Sequence, residues 1–304
     1  MSQTTAQKLA RALPFIGKRL KMLDDCGYTP GHYYSPIPKL AEVEANQDRI
    51  FGTRPNSIHG IDLRRSQQFE LLERFAQLYS EVPFDFSARN TTGLRYQAPG
   101  AWYRYSDVVF LYSMLRHFRP RQVIEVGSGF SSAVMMDVND LFMNGEMKLT
   151  FIEPVPDRLD RMLRPADREK YSVVTDFIQN VELSRFRQLD ANDVLFIDTS
   201  HVSKVGSDVN HLIFEVLPVL RPGVLIHFHD IFYPFELPRG WVLETKLFWN
   251  ENYLLRALLT GSREYEIVAF NSYLHSEFEA WFQDHMPVCL TDRDNTGSIW
   301  LRRT

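Results

Sequence analysis

From about residue 105 the chain alternates short, almost wholly apolar runs with helical stretches, and this alternation restricts the fold more than any other feature. QVIEVGSG, LTFIEP, YSVV, DVLFID, GVLIHFHD and YEIVAFNS read as successive strands. The segments SSAVMMDVNDLF, PDRLDRML, SDVNHLIFEVLPVL and WNENYLLRALLT between them read as helices. Strands with no polar face belong to a parallel sheet covered by helices on both sides. A helix Ser106–Phe118 precedes the first strand, opening on Ser-Asp as caps prefer and stopped by Pro120. SIWLRR is a last short strand, separated from YEIVAFNS by an insert through His275 to Thr296 with no crossover unit, so these two predict an antiparallel closing pair. The expectation is α/β: a doubly wound, mostly parallel sheet of seven strands.

Residues 1–104 follow a different pattern, rich in Pro, Tyr and turn residues (TPGHYYSPIPKL, FGTRPNSIHGIDL) and interrupted by one clear helix, Arg65–Ser80. They are expected to form an N-terminal helical and irregular cap over an acceptor pocket, with 105–304 as the cofactor-binding domain. The formal net charge of −4 gives no electrostatic ground for nucleic-acid binding. Two distant cysteines, Cys26 and Cys289, do not make a disulfide scaffold or a thiolate zinc site and fit a reducing, cytoplasmic compartment. No apolar run reaches the roughly 18 residues of a membrane span. The opening MSQTTAQKLARALPFIGKRLKML is basic and mildly amphipathic; it reads as a docking helix, with a weak membrane-surface anchor as the alternative. A homo-oligomer is left open.

In open α/β sheets a ligand binds outside the carboxyl ends of the strands. The first strand ends in VIEVGSGFSS, where Gly127 and Gly129 allow a sharp turn and close approach to the backbone. The second strand ends at Glu153, whose carboxylate suits the two hydroxyls of a ribose. A dinucleotide fingerprint wants a third small residue, GxGxxG, whereas Phe130, Ser131 and Ser132 follow the second glycine here. Glu125 suits a cationic amino-acid end and does not suit a pyrophosphate. S-adenosylmethionine (SAM) fits these residues better than a nicotinamide cofactor.

EVGSGFSS, Glu153, FIDTSH and the strand ending in HFHD together resemble the successive motifs of class I, Rossmann-like SAM-dependent methyltransferases, over about residues 105–304. GHYYSPIP, HFHDIFYPFELP, NENYLLRALL and GSIWLRR further resemble a bacterial, mostly uncharacterised group seen around polysaccharide and natural-product pathways. The resemblance implies that Glu125, Gly127, Ser128, Gly129, Ser131 and Ser132 cradle the methionine part of SAM. It further implies that Glu153 holds the ribose, that Asp176 and Phe177 flank the adenine, and that Asp198 lies next to the methyl group.

Methyl transfer to a hydroxyl needs an oriented acceptor and a group to take its proton. Asp198 and His201 follow the fourth strand; His229 and Asp230 end the fifth, with His227 on the same face as His229. A histidine near its ordinary pKa of about 6.5 serves as a base at neutral pH, which makes His201 and His229 catalytic candidates with Asp198 and Asp230 as orienters. His227 reads as a satisfied core histidine. In metal-dependent catechol-type O-methyltransferases, which the chain resembles here, a lysine base takes the place of His201. Those enzymes hold Mg²⁺ through an Asp after the fourth strand and an Asp-Asn pair after the fifth. Asp198 and Asp230 match, but Ile231 replaces the Asn. Two carboxylates with His201 or His229 suit Mn²⁺, Fe²⁺ or Zn²⁺ as well as Mg²⁺. Tyr33, Tyr34, Trp102, Tyr103, Tyr105 and Tyr233 are candidates to line the acceptor pocket, with core packing as the competing role for each. Asn250 and Glu251 read as ordinary helix-start residues, with a role against the HDIF loop as the secondary alternative.

The expected function is methyl transfer from SAM to a small-molecule or glycan acceptor, through a hydroxyl oxygen. An amine acceptor is the first alternative, since a neutral amine needs no strong base. A SAM-binding partner protein without catalysis is the second; the retained Asp198, His201, His229 and Asp230 count against it.

Overall fold

A computed structural model of the chain describes residues 26–52, 54–87 and 93–304. The basic N-terminal stretch that reads as a docking helix lies outside the described residues. By packing, the described residues divide into a small unit, 26–52 with 239–248, and a large one, 54–87 and 93–238 with 249–304. In the small unit, helices Leu40–Ala45 and Gln47–Phe51 meet at Asn46, whose side chain donates to the Glu42 carbonyl at 2.8 Å. Arg239 Nε donates to Gln47 Oε1 at 2.9 Å.

The large unit is built on seven strands: β1 Gln122–Val126, β2 Lys148–Ile152, β3 Ser172–Val174, β4 Val194–Ile197, β5 Leu225–His229, β6 Tyr265–Phe270 and β7 Ser298–Arg303. Their order is β3-β2-β1-β4-β5-β7-β6, with β7 antiparallel to both its neighbours and the other pairs parallel. The doubly wound sheet and its antiparallel closing pair are therefore as the sequence predicts. Successive strand residues face opposite sides, so the complete burial of β4 and β5 means both faces of the sheet are covered.

Register aligns the strand ends. Val126 pairs with Ile152 on one side and Ile197 on the other, and Ile197 pairs with Phe228. The residues that come next, Gly127, Glu153, Asp198 and His229, therefore emerge along one edge. The order of connections reverses between β1 and β4, which places the switch point of the sheet on that edge.

Three expectations need correction. PDRLDRML forms only a turn of helix, Asp157–Asp160, entered from Pro156. SDVNHLIFEVLPVL is not one α-helix: an α turn Asp208–His211 passes into a π turn Leu212–Val216 and a 3₁₀ turn Leu217–Val219. Pro218 has no N–H for the i−4 carbonyl, so the helix cannot continue regularly through it. The Ser-Asp pair does not cap helix Ser106–Phe118. Ser106 Oγ instead bonds His275 Nε2 at 2.7 Å, and Asp107 accepts from Asn271 Nδ2 at 2.8 Å; both are buried.

Helix Arg65–Tyr79 packs on helix Ser106–Phe118, with the Phe75 ring edge-on to Phe110. The segment from residue 93 to Tyr105 then runs toward the switch-point edge. It is anchored by Arg95, whose side chain is 4% exposed and is bonded to Asp137 Oδ1 (3.0 Å), Asp140 Oδ2 (2.8 Å) and both oxygens of Asp167 (2.6 and 2.8 Å). Removing one member of such a buried set strands the others in a medium that cannot solvate them. Arg95→Ala is expected to lower the unfolding free energy by about 3–5 kcal/mol in a denaturant titration. A loss below about 1 kcal/mol would mean the set is no better than a surface ion pair.

Candidate active site

The glycine loop is fixed first by the backbone. Gly127 has φ of +82°, and a Cβ there would stand 1.7 Å from the Asp198 carbonyl oxygen, so no larger residue fits between β1 and β4. The Gly127 N–H donates to the Ile152 carbonyl and the Asp198 N–H to that of Val126. Gly129 is extended, and its N–H donates to Ser132 Oγ at 2.9 Å. Glu125 lies under the loop, fully buried. Ser131 Oγ donates to one of its carboxylate oxygens at 2.5 Å, and Ser132 Oγ makes a short bond to the other. Its carboxylate thus ties the loop to the start of helix Phe130–Phe142.

Glu153, at the end of β2, is half-buried and turned back to the loop. It accepts from the Ser128 N–H at 3.0 Å and the Val155 N–H at 2.9 Å. Asp176 and Phe177 follow β3 and are exposed; Asp176 accepts from the Phe177 N–H and from Asn180 Nδ2, both at 2.7 Å. These residues lie on successive strand ends, in the order β1, β2, β3.

The second half of the site lies past β4 and β5. Asp198, His201 and Asp230 offer one ligand atom each within 4.8 Å of one another. His201 Nε2 stands 3.4 Å from Asp198 Oδ1 and 3.6 Å from Asp230 Oδ2. Its Nδ1 meets Glu251 Oε2 at 2.9 Å, and its ring packs on Trp249. His201 and Asp230 both hold left-handed backbones, φ +58° and +54°. Each such non-glycine residue costs on the order of 1 kcal/mol or more, and side chains held that way concentrate at functional sites. His229 Nε2 lies 3.5 Å from Asp230 Oδ1, beside the three-ligand group, and its Nδ1 has no partner among the described residues.

The charges are strongly coupled. Burial pushes the His201 pKa down, but the bonds to Asp198 and Glu251 outweigh it and hold the ring well above 6.5. Burial likewise opposes protonation of His229, and Asp230, Asp198 and Asp107 together raise it. Burial works to raise Asp198, yet the charges of His229 and His201 bring it down to about 2. Burial raises Asp230 and Glu251, and lifts Asp107 to about 7. His201 therefore does not sit near its ordinary pKa as the sequence reading assumes: the carboxylates around it favour the protonated ring.

His227 is fully buried, as expected, but it is not satisfied by hydrogen bonds. Both ring nitrogens lack partners among the described residues, and burial, then the charge of His229, hold its pKa well below 6.5. Its ring stacks on Phe196 at 3.9 Å, so it is an aromatic core residue. The tyrosines divide. Tyr103 is buried with its hydroxyl bonded to the Asp107 carbonyl and its ring 5.0 Å from His229. Tyr105 packs on Phe86, and Tyr233 is buried with its hydroxyl on the Pro55 carbonyl. Tyr33 and Tyr34 are exposed residues of the small unit.

Three residues at the site carry no sequence signal. Glu251 is in the first helical turn, where an acidic residue is unremarkable, and Asp107 looks like a cap. Asn252 donates to the Asp230 carbonyl at 3.0 Å and accepts from the Phe232 N–H at 2.9 Å, fixing the loop after β5. All three depend on pairing between segments far apart in the chain.

A doubly wound sheet with an antiparallel last strand, a GSG loop over a buried carboxylate and a second carboxylate after β2 define a SAM-dependent methyltransferase. Residues 124–231 match a family profile described as a methyltransferase domain. An uncharacterised protein of Archaeoglobus fulgidus is 31% identical over 194 residues, spanning 62% of this chain and 86% of that protein, and the chain belongs to its family. Similar solved structures include an S-adenosylhomocysteine (SAH) form titled cmcI-N160, 16% identical, covering 75% of this chain and 91% of that one with a TM-score of 0.43. Another is the O-methyltransferase TomG from Streptomyces achromogenes in complex with SAM, 13% identical, covering 86% of this chain and 96% of that one, TM-score 0.41. Among the described residues no helix is long and apolar enough to cross a membrane.

Glu125 yields a pH test. Burial, opposed by the Ser131 and Ser132 bonds, raises its pKa from 4.5 to about 8. Between those values the unfolded chain has released this proton and the folded chain keeps it, so this group's contribution to stability falls as pH rises, levelling off above about 8. The unfolding free energy of Glu125→Gln relative to the natural chain is expected to rise steadily across that window. A difference that does not change with pH would show the carboxyl to be ionised throughout.

Proposed function

We propose that the protein transfers the SAM methyl group to a hydroxyl oxygen of a small-molecule or glycan acceptor, at the group formed by Asp198, His201 and Asp230. The observation that carries this is the convergence of these side chains within 4.8 Å, beside the glycine loop. Glu125, Gly127, Ser128, Gly129, Ser131 and Ser132 form the seat for the methionine end, Glu153 takes the ribose hydroxyls, and Asp176 with Phe177 borders the adenine. In this reading the Glu153 carboxylate exchanges its present backbone donors for ribose hydroxyls. Tyr103 and Tyr105 border the acceptor, and the cap role is proposed for residues 1–104, with Tyr33 and Tyr34 among them.

The donor set fits a divalent cation. Two carboxylates and an imidazole are ligands for Mn²⁺, Fe²⁺ or Zn²⁺ as well as Mg²⁺. The carboxylates around His201 and His229 raise the proton affinity of both rings, so the cluster attracts positive charge. A divalent cation would supply the same charge, and beside the acceptor hydroxyl it would lower the pKa of that hydroxyl. Asp198, His201 Nε2 and Asp230 would hold it, and His229 adjoins the group as a further candidate.

This chain's residues then do three things. Asp198 and Asp230 hold the acceptor oxygen in line with the sulfur–methyl bond. His229, neutral once the cluster has its positive charge from elsewhere, takes the hydroxyl proton on Nε2. As the oxygen–carbon bond forms, the methyl–sulfur bond breaks with its electron pair on sulfur, leaving SAH. The buried rings of Tyr103, Phe196 on β4 and His227 on β5 pack together and keep water from the inner side of the site.

Two measurements test this. Glu153→Ala is expected to weaken SAH binding by about 1–3 kcal/mol in calorimetry, through lost charge-assisted bonds; unchanged affinity removes Glu153 from the ribose site. Chelation with EDTA is expected to abolish methyl transfer and added Mn²⁺ to restore it. Cation affinity should rise with pH, because protons held on His201 compete for the same atoms. Full activity after exhaustive chelation rules the cation out.

A further inference from the structure

We infer that Glu251 is a positioning residue: its carboxylate holds the proton on His201 Nδ1, so that the ring, once neutral, is the Nδ1–H tautomer and its bare Nε2 faces the space between Asp198 and Asp230. This rests on the reading of those three residues as a ligand group. His201 Nδ1 and Glu251 Oε2 are 2.9 Å apart, and both residues are buried. The His201 carbonyl also accepts from the N–H groups of Asn250 and Glu251, each at 3.2 Å. The backbone and the ring of His201 are therefore held by one turn of helix Glu251–Leu259, while Trp249 packs against the ring face.

The neighbours of Glu251 show that its role is not a general structural one. Asn250 ties the helix start to Ser203, accepting from its N–H at 2.6 Å and donating to its carbonyl at 3.1 Å. Asn252 ties it to the loop after β5. The Glu251 carboxylate differs in its target: Oε2 meets only the His201 ring, and the buried Oε1 has no partner among the described residues. Burying a carboxylate is costly, and a neutral side chain of the same size would pack as well. What the carboxylate adds is control of the imidazole. A hydrogen bond from one ring nitrogen to a carboxylate sets the tautomer, fixes the ring plane and makes the other nitrogen a better donor to a cation.

The test uses full-length protein with ¹⁵N-labelled histidine and reads two quantities that a merely structural role would not move. Long-range ¹H–¹⁵N spectra of the cation-free protein, taken above the titration of the His201 ring, should show its proton on Nδ1. A proton on Nε2 overturns the inference. The second quantity is Mn²⁺ affinity by calorimetry. Glu251→Gln, which keeps a weaker acceptor in place, is expected to lose about tenfold, and Glu251→Ala up to about a hundredfold. In Glu251→Ala the tautomer preference of His201 should also disappear. Folded variants that bind Mn²⁺ as tightly as the natural chain, with unchanged ring signals, overturn it as well. If the natural chain binds no cation, the ligand-group reading fails by itself, and the tautomer spectra still decide what Glu251 does.

Discussion

The contact between Gly127 and the Asp198 carbonyl is the constraint from which the site follows. Two parallel strands approach so closely at their carboxyl ends that a single methyl group would collide with the neighbouring backbone. That approach turns the chain after β1 into the loop over Glu125. The same contact sets the starting point of the segment carrying Asp198 and His201. The glycine loop and the segment carrying Asp198 and His201 thus share one peptide-to-peptide contact, and their spacing is a property of the sheet.

Charge is the second organising element. Asp107, Asp198, Asp230 and Glu251 are gathered with His201 and His229 in a cluster that is largely buried, with Asp198 and Asp230 partly exposed. Such a cluster is tolerable only if its charges nearly cancel. Proton positions on the two imidazoles adjust that balance, so the occupancy of the site by cations or acceptors and the protonation of its histidines are linked equilibria.

The fold was legible in the sequence because its carriers are local. Runs such as VLFI and LIHF announce a sheet buried on both faces, and the glycine pair after the first of the strands marks the switch-point edge. Helix Arg65–Tyr79 and strand Ser298–Arg303 follow from periodicity in the same way. The convergence of Asp198, His201 and Asp230 was visible as two motifs on adjacent strand ends. Glu251 was not, because its importance comes from meeting a residue fifty positions earlier, and no local pattern separates it from any helix-start acid. The pKa of His201 was misjudged for the same reason: it is set by three carboxylates from three segments. Where the chain broke a local expectation, as at Pro218 and at the Ser106–Asp107 pair, a single side chain explains it.

The position of β7 has a consequence for biogenesis. It is later in the chain than β6 yet lies between β5 and β6, so it inserts into the sheet from the far end of the domain. During synthesis the strand bearing His227 and His229 keeps one side unpaired until Ser298–Arg303 emerges. An apolar strand with a free edge is a template for wrong partners. Until β7 arrives, the sheet that carries Asp198, His201, His229 and Asp230 is unfinished, with one side of β5 open to pairing.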